Sequence, residues 1–219
     1  MNTFSSDIDI LKYEPALFGD LHFAGQVLTT GSGAVISNSQ LTATDADFSG
    51  AQIAAGMVVY LQNDDGDIDG VYEIISVDSA AQLTLSILRA DSDSDAIALP
   101  DAADVNYRIC TYQAQSNEMF LRLAQHFGLR PGASDGEYSV DDILDTSVLK
   151  QVSVYGILSI VYATLAGSSN DDETFWEKSK YYKQFYEMAL QRCRVSIDLG
   201  DDGVADYVRS GASVRLLRD

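Results

Sequence analysis

Positive charge is scarce in this chain. Of 219 residues, 14 are Lys or Arg against 33 Asp or Glu, a formal net charge of -19. Proteins that grip DNA or RNA neutralise phosphates with clustered Lys and Arg, and docking on an anionic membrane draws on the same side chains. The balance argues against both. Only two cysteines occur, Cys110 and Cys193, too few for a disulfide-stapled scaffold, so reduced thiols are expected. The two histidines, His22 and His126, form no His-x-x-x-His pair, and there is no Cys-x-x-Cys. A zinc site is therefore not expected. Long apolar runs are also missing. The most apolar window, 152–166, has about 15 residues where roughly 20 span a bilayer, and Ser153, Gly156 and Ser159 interrupt it. Met1 to Ser6 carry neither a basic region nor an apolar run, so no secretory leader is expected.

What is present belongs to a folded protein. Apolar residues make up 46% and aromatics 10%, which sets the chain apart from acidic disordered tails. The length suits one large domain or two small ones. Residues 1–19 show a short apolar periodicity (Ile8, Leu11, Leu17, Phe18), with Asp7 as a helix cap and Pro15 opening a second turn. Residues 20–112 read as β-structure. Loose alternation runs over 21–30, Gly31-Ser32-Gly33 signals a turn, and strands follow at 57–62, 71–77, 82–88 and 105–112. The acidic segment 90–103, with Pro100, reads as an exposed loop. Short strands spaced by turn residues predict a small antiparallel barrel or sandwich.

Residues 113–219 read as mostly helical. Ser116 is a cap candidate ahead of Met119, Phe120, Leu123 and Phe127; Gly128 ends that helix and Pro131 prevents its resumption. Ser139 and Asp142 have capping-box spacing, and the face from Ile143 to Tyr155 continues into an all-round apolar helix closed by Gly167. Asp171, Asp172 and Glu173 open a last long helix with Arg192 and Arg194 at its far end, as the macrodipole favours. The expected fold is α+β: a helical bundle core over 1–19 and 113–203, an inserted β domain over 20–112, and a C-terminal tail over 204–219.

Catalytic and ligand motifs are weak. Asp65-x-Asp67-x-Asp69-Gly70 imitates the start of a calcium loop, but position twelve is Ser76, not a bidentate acid, so a solvated hairpin turn is expected. The turn with Asp198, Asp201 and Asp202 fails likewise, with Arg209 at that position. Gly31-Ser32-Gly33 matches no phosphate loop. No enzyme constellation, cofactor site or metal site is expected. The aromatic run Trp176, Tyr181, Tyr182, Phe185 and Tyr186 is denser than one helix face requires, which fits either packing within the subunit or a subunit interface.

The opening Asp7-Ile8 to Ile10-Leu11-Lys12-Tyr13-Glu14-Pro15 resembles the N-terminal stretch of tailed-bacteriophage neck proteins. The closing run resembles them more clearly: the aromatic helix from Trp176 to Tyr186 continued to Arg194, the turn Ile197-Asp198-Leu199-Gly200-Asp201-Asp202-Gly203, and a tail with Arg209 and Arg215-Leu216-Leu217-Arg218. The chain is thus similar to the head-to-tail adaptors, also called connector or head-completion proteins. The resemblance covers roughly 1–19 and 113–219; the β insert lies outside the family's minimal helical core. It implies a virion protein made in the host cytoplasm and placed at the neck, in a ring, usually of twelve subunits, below the portal protein. The ring meets the tail or a second neck protein, and DNA passes through its channel without specific binding. Arg209, Arg215, Leu216, Leu217 and Arg218 are then the candidates for docking on the portal. Two other readings are a tail-completion or terminator protein, and a non-viral module binding carbohydrate or protein through its β domain.

Overall fold

The computed structural model describes residues 3–129, 138–167 and 172–211. The fold is α+β, with a closed six-stranded antiparallel barrel and, among the described residues, four α-helices. The chain divides into two compact units. One runs Ser6–Gln113; the other joins residues 3–5 to the described residues from Ala114 onward. Residues 6–19, expected with the helical core, therefore pack in the barrel unit.

In the barrel unit, helix α1 (Asp7–Leu11) opens with a capping box. Ser6, not Asp7, is its N-cap: the Ser6 side chain accepts from the Asp9 amide, and the Asp9 carboxylate accepts from the Ser6 amide. A 3-10 turn over Pro15–Leu17 follows. The strands are β1 (Val27–Ser37), β2 (Gln40–Thr42), β3 (Val58–Gln62), β4 (Asp69–Ser79), β5 (Gln82–Ser86) and β6 (Ala102–Cys110). They close in the order β1-β2-β5-β4-β3-β6. Alternation sends Ala34, Ile36, Leu41, Val59, Leu61, Leu83, Leu85, Val105 and Ile109 inward, where they pack around Phe48. The interior is a filled core, not a channel.

The main departure from the sequence reading is β1. Gly31-Ser32-Gly33 does not turn the chain; it lies inside this long strand, where the pairing with β6 shifts register between Gly31 and Ala34. Gly33 takes a φ of +71° at this irregularity, and a Cβ on Gly31 would collide with the Tyr107 ring. Glycine here lets a strand bend over an aromatic side chain instead of ending. The acidic turn after β3 behaves as expected: the amides of Asn63 and Ile68 are bonded across it and Ile68 plugs the core.

In the helical unit, α2 (Gln113–His126) starts ahead of Ser116, which is buried within the helix. It ends as a Schellman motif. Gly128 sits at φ +67°, its amide donates to the Gln125 carbonyl, and the Leu129 amide reaches the Ala124 carbonyl. Ser139 and Asp142 do bond to one another, but they close a local turn. The next helical residues form a 3-10 turn over Thr146–Leu149 capped by Asp145, and this leads into α3 (Lys150–Ala166). Together Thr146–Ala166 makes 21 residues, long and apolar enough to cross a membrane by length and composition, against the shorter window read from sequence. More than half of its apolar window is buried inside the chain (56%), the pattern of a core helix.

Helix α4 (Asp172–Arg192) packs along α3. The Tyr162 and Tyr182 rings stack at 5.9 Å and 6°, and Ser179 donates to the Ser159 carbonyl. Arg194 does not prolong this helix. It begins β7 (Arg194–Ile197), which pairs with β8 (Tyr207–Ser210) in a two-stranded ribbon. On the other side of β7, Leu144 donates to the Ser196 carbonyl and Asp198 to that of Asp142.

Candidate assembly surface

Helix α4 is 21 residues long, yet Ser179 and Tyr182 are its buried positions among the described side chains. The aromatic run read from the sequence is therefore divided by the helical period. Tyr182 belongs to the core. Phe185 and Tyr186 are half-buried, with Phe185 tilted against Tyr155 at 5.5 Å and burial raising the Tyr186 hydroxyl above its ordinary pKa. Trp176 and Tyr181 are about half exposed (50% and 54%), and Met188 lies outward with them. Lys180 lies 5.6 Å from the Trp176 ring centre on this face, whereas Lys178 turns toward α3, where it donates to the Tyr162 hydroxyl and covers its ring.

At the C-terminal end of α4 an open groove of about 580 Å³ runs between α3, α4 and β7. Its floor is Val152, Tyr155, Phe185 and Ala189; Val148 and Met188 are exposed at its edge, and Arg192 and Arg194 stand on its rim. Cys193 lies in this wall with its thiol directed to the Val148 carbonyl, and burial raises its pKa.

The expected docking residues separate too. Arg215, Leu216, Leu217 and Arg218 lie outside the described residues. Arg209 lies within β8, and its guanidinium is engaged inside the unit: Nη1 donates to the Phe127 carbonyl at 2.6 Å, and the group lies 4.4 Å from the Tyr138 ring centre. His126 Nε2 is 3.0 Å from the Gly211 carbonyl. Arg209 thus closes the C-terminal end of α2, where a cation suits exposed carbonyls.

Charge is unevenly divided. The span Ser6–Gln113 carries 17 of the 33 acids and three of the 14 basic residues, Lys12, Arg89 and Arg108. Each of the three has an internal partner. Lys12 donates to the Ala90 carbonyl, Arg108 donates to the Gly19 carbonyl and covers Tyr60, and Arg89 forms a two-pronged pair with Glu73 at 2.7 and 3.1 Å. The remaining Arg89 amino group donates to the carbonyls of Ser92 and Ser94, ordering the acidic loop that follows. In that loop Asp91 accepts from Asp93 and Ser94, which holds its carboxyl below the usual range.

Two acidic residues read from the sequence as a helix cap and as part of a turn are buried in the structure. Asp7 is almost fully buried and accepts from the Tyr112 amide and the Thr111 hydroxyl, both at 2.8 Å; desolvation outweighs these bonds and raises its pKa to about 6. Asp198 is also buried, and it receives the amides of Gly200 and Gly203, so the acidic turn is satisfied by its own backbone. Among the described residues no group of three or more His, Cys, Asp and Glu is placed to hold a metal ion. Comparison with protein families, with curated proteins and with solved structures finds no match to this chain.

Proposed function

We propose that this protein is a structural component of a tailed-phage virion: a head-to-tail adaptor that forms a ring below the portal, prolongs the DNA channel and joins capsid to tail. In this reading α2, α3 and α4 correspond to the family's helical core and the barrel is an elaboration on it. The observation that carries the proposal is the outer face of α4, where Trp176, Tyr181 and Met188 are left exposed on a long helix. Large aromatic groups of this kind are enriched where subunits meet. The charge supports the same role: a wall that repels phosphate lets the duplex slide. No enzymatic step is assigned.

A carbohydrate-binding role for the barrel would call for an aromatic platform. Among the described residues of that unit the exposed large aromatic is Tyr13, outside the strands. Electron microscopy of purified particles tests the proposal. Copies of this chain in a ring at the neck are expected; a chain absent from the particle, or placed along the tail, would end the adaptor reading.

A further inference from the structure

The groove at the end of α4 has a counterpart elsewhere on the chain. Val152, Phe185 and Ala189 make part of its floor apolar, beside Gln151 and the Tyr155 hydroxyl to which it donates; Val148 and Met188 lie open at its edge, and Arg192 and Arg194 stand exposed on its rim. Among the described residues neither arginine makes an ion pair. On the barrel, residues 91–97 present the opposite character. Asp91, Asp93 and Asp95 are exposed, and Ile97 follows them, itself exposed and bridged to the exposed Ile87. This loop is held in place before any partner arrives. Arg89, clamped by Glu73, donates to the carbonyls of Ser92 and Ser94, and Ser86 Oγ accepts from the Ile97 amide. An ordered loop loses little conformational freedom on binding.

We infer that the α3–α4 groove of one copy receives the acidic loop 91–97 of a second copy, with Ile97 and Ile87 set against the apolar part of the floor and Asp93 and Asp95 facing Arg192 and Arg194. The occupant is a second copy because the same chain carries both halves of the complementarity: one apolar surface rimmed by cations and one apolar pair flanked by carboxylates. Charge of opposite sign across the contact sets its register and raises its rate of formation. The two surfaces differ, so the contact is heterologous and propagates from copy to copy, closing into a ring where the rotation permits. This identifies a subunit contact for the adaptor proposed above and rests on that reading.

Two charge-reversal variants of the full chain test the contact. Arg192→Glu with Arg194→Glu makes the groove acidic against an acidic loop; Asp93→Lys with Asp95→Lys makes the loop basic against a basic groove. All four positions are exposed, and circular dichroism checks that each variant is folded. Sedimentation velocity over a range of protein concentrations is expected to show self-association of the unaltered chain, weakened roughly a hundredfold in either variant alone, because like charges meet across the contact. In a mixture of the two variants every groove again faces a loop of opposite sign, and association is expected to return. Unaltered association of both variants, no recovery on mixing, or a monomeric unaltered chain would overturn the contact. The adaptor reading is judged separately: folded variants that enter particles at the neck as the unaltered chain does would refute the groove–loop contact and leave the adaptor standing.

Discussion

Arg209 Nη1 donates to the carbonyl oxygen of Phe127 at 2.6 Å, across 82 positions of sequence. A two-stranded ribbon is marginal by itself, and this bond ties β8 to the closing turn of α2. Arg209→Ala removes a charge-assisted hydrogen bond and the cover over Tyr138, so a loss of about 2–3 kcal/mol is expected in chemical denaturation of the full chain. Arg209→Lys is expected to recover only part of it, since an ammonium does not reproduce the planar stack. Gly128→Ala attacks the same contact from the other side: it strains a residue at φ +67° and places a methyl group against the guanidinium. An undiminished melting midpoint in both Arg209→Ala and Gly128→Ala would contradict this account.

Trp176 and Tyr182 sit on the same helix and should respond differently to truncation. Tyr182→Ala empties a buried stack against Tyr162 and is expected to cost about 3–5 kcal/mol of stability. Trp176→Ala removes a half-exposed ring and is expected to cost under about 1 kcal/mol while weakening assembly. Denaturation and sedimentation measured on both variants separate these outcomes, and equal stability losses would contradict the division of α4 into an inner and an outer face.

Asp7 should give the barrel unit an unusual pH response. Its carboxyl has a folded-state pKa of about 6 against an ordinary 3.8, so the protonated form is favoured by folding. The associated stability is fully present below pH 3.8 and is lost as pH rises through 6. Asp7→Asn mimics the protonated side chain at every pH. The stability difference between the two proteins is therefore expected to move toward the unaltered chain by about 2 kcal/mol as pH falls from 7 to 4. A difference independent of pH would show that Asp7 is not held in this state.

Glu73 and Arg89 order the acidic loop, and Arg89→Met leaves a buried carboxylate without its partner. Faster proteolysis within 90–99 and a lower melting midpoint are expected, with Arg89→Lys intermediate. Unchanged cleavage in this segment would contradict the clamp.

Deletion of 204–219 is expected to cause a structural defect, because it removes β8 and Arg209 along with the tail. Deletion of 212–219 spares both and isolates Arg215, Leu216, Leu217 and Arg218. The shorter deletion is expected to leave the stability within about 0.5 kcal/mol of the unaltered chain and to reduce incorporation into particles. Full incorporation would remove these four residues from portal docking.

Several features depend on local chemistry alone and could be read directly from the chain. Alternation of Leu83 and Leu85, or of Val105, Tyr107 and Ile109, places strands because a pleated backbone turns successive side chains to opposite faces. Gly128 closes α2 because only a residue without Cβ enters the left-handed region at little cost. The acidic excess and the two lone cysteines follow from composition. The sequence misled where a residue's role depends on a distant partner. Gly31-Ser32-Gly33 looks like a turn until Tyr107 packs over it. Asp7 looks like an exposed cap until the Tyr112 amide and Thr111 hydroxyl, more than a hundred positions away, enclose it. Arg209 looks like a free tail cation until the Phe127 carbonyl and Tyr138 ring capture it.

The candidate assembly surface divides in the same way. The aromatic density of α4 was legible, but which rings it leaves outside was not, since that depends on the packing of α3 against one face. The groove rimmed by Arg192 and Arg194 had no sequence signature, because three separate elements form it. By itself the sequence determined where strands and helices can form and the sign of the molecule's charge, for these follow from near-neighbour sterics and from counting. Only the tertiary structure decided which carboxylate is desolvated, which arginine is already bonded and which aromatic rings remain available to a partner, because each outcome is set by groups the chain brings together from far apart.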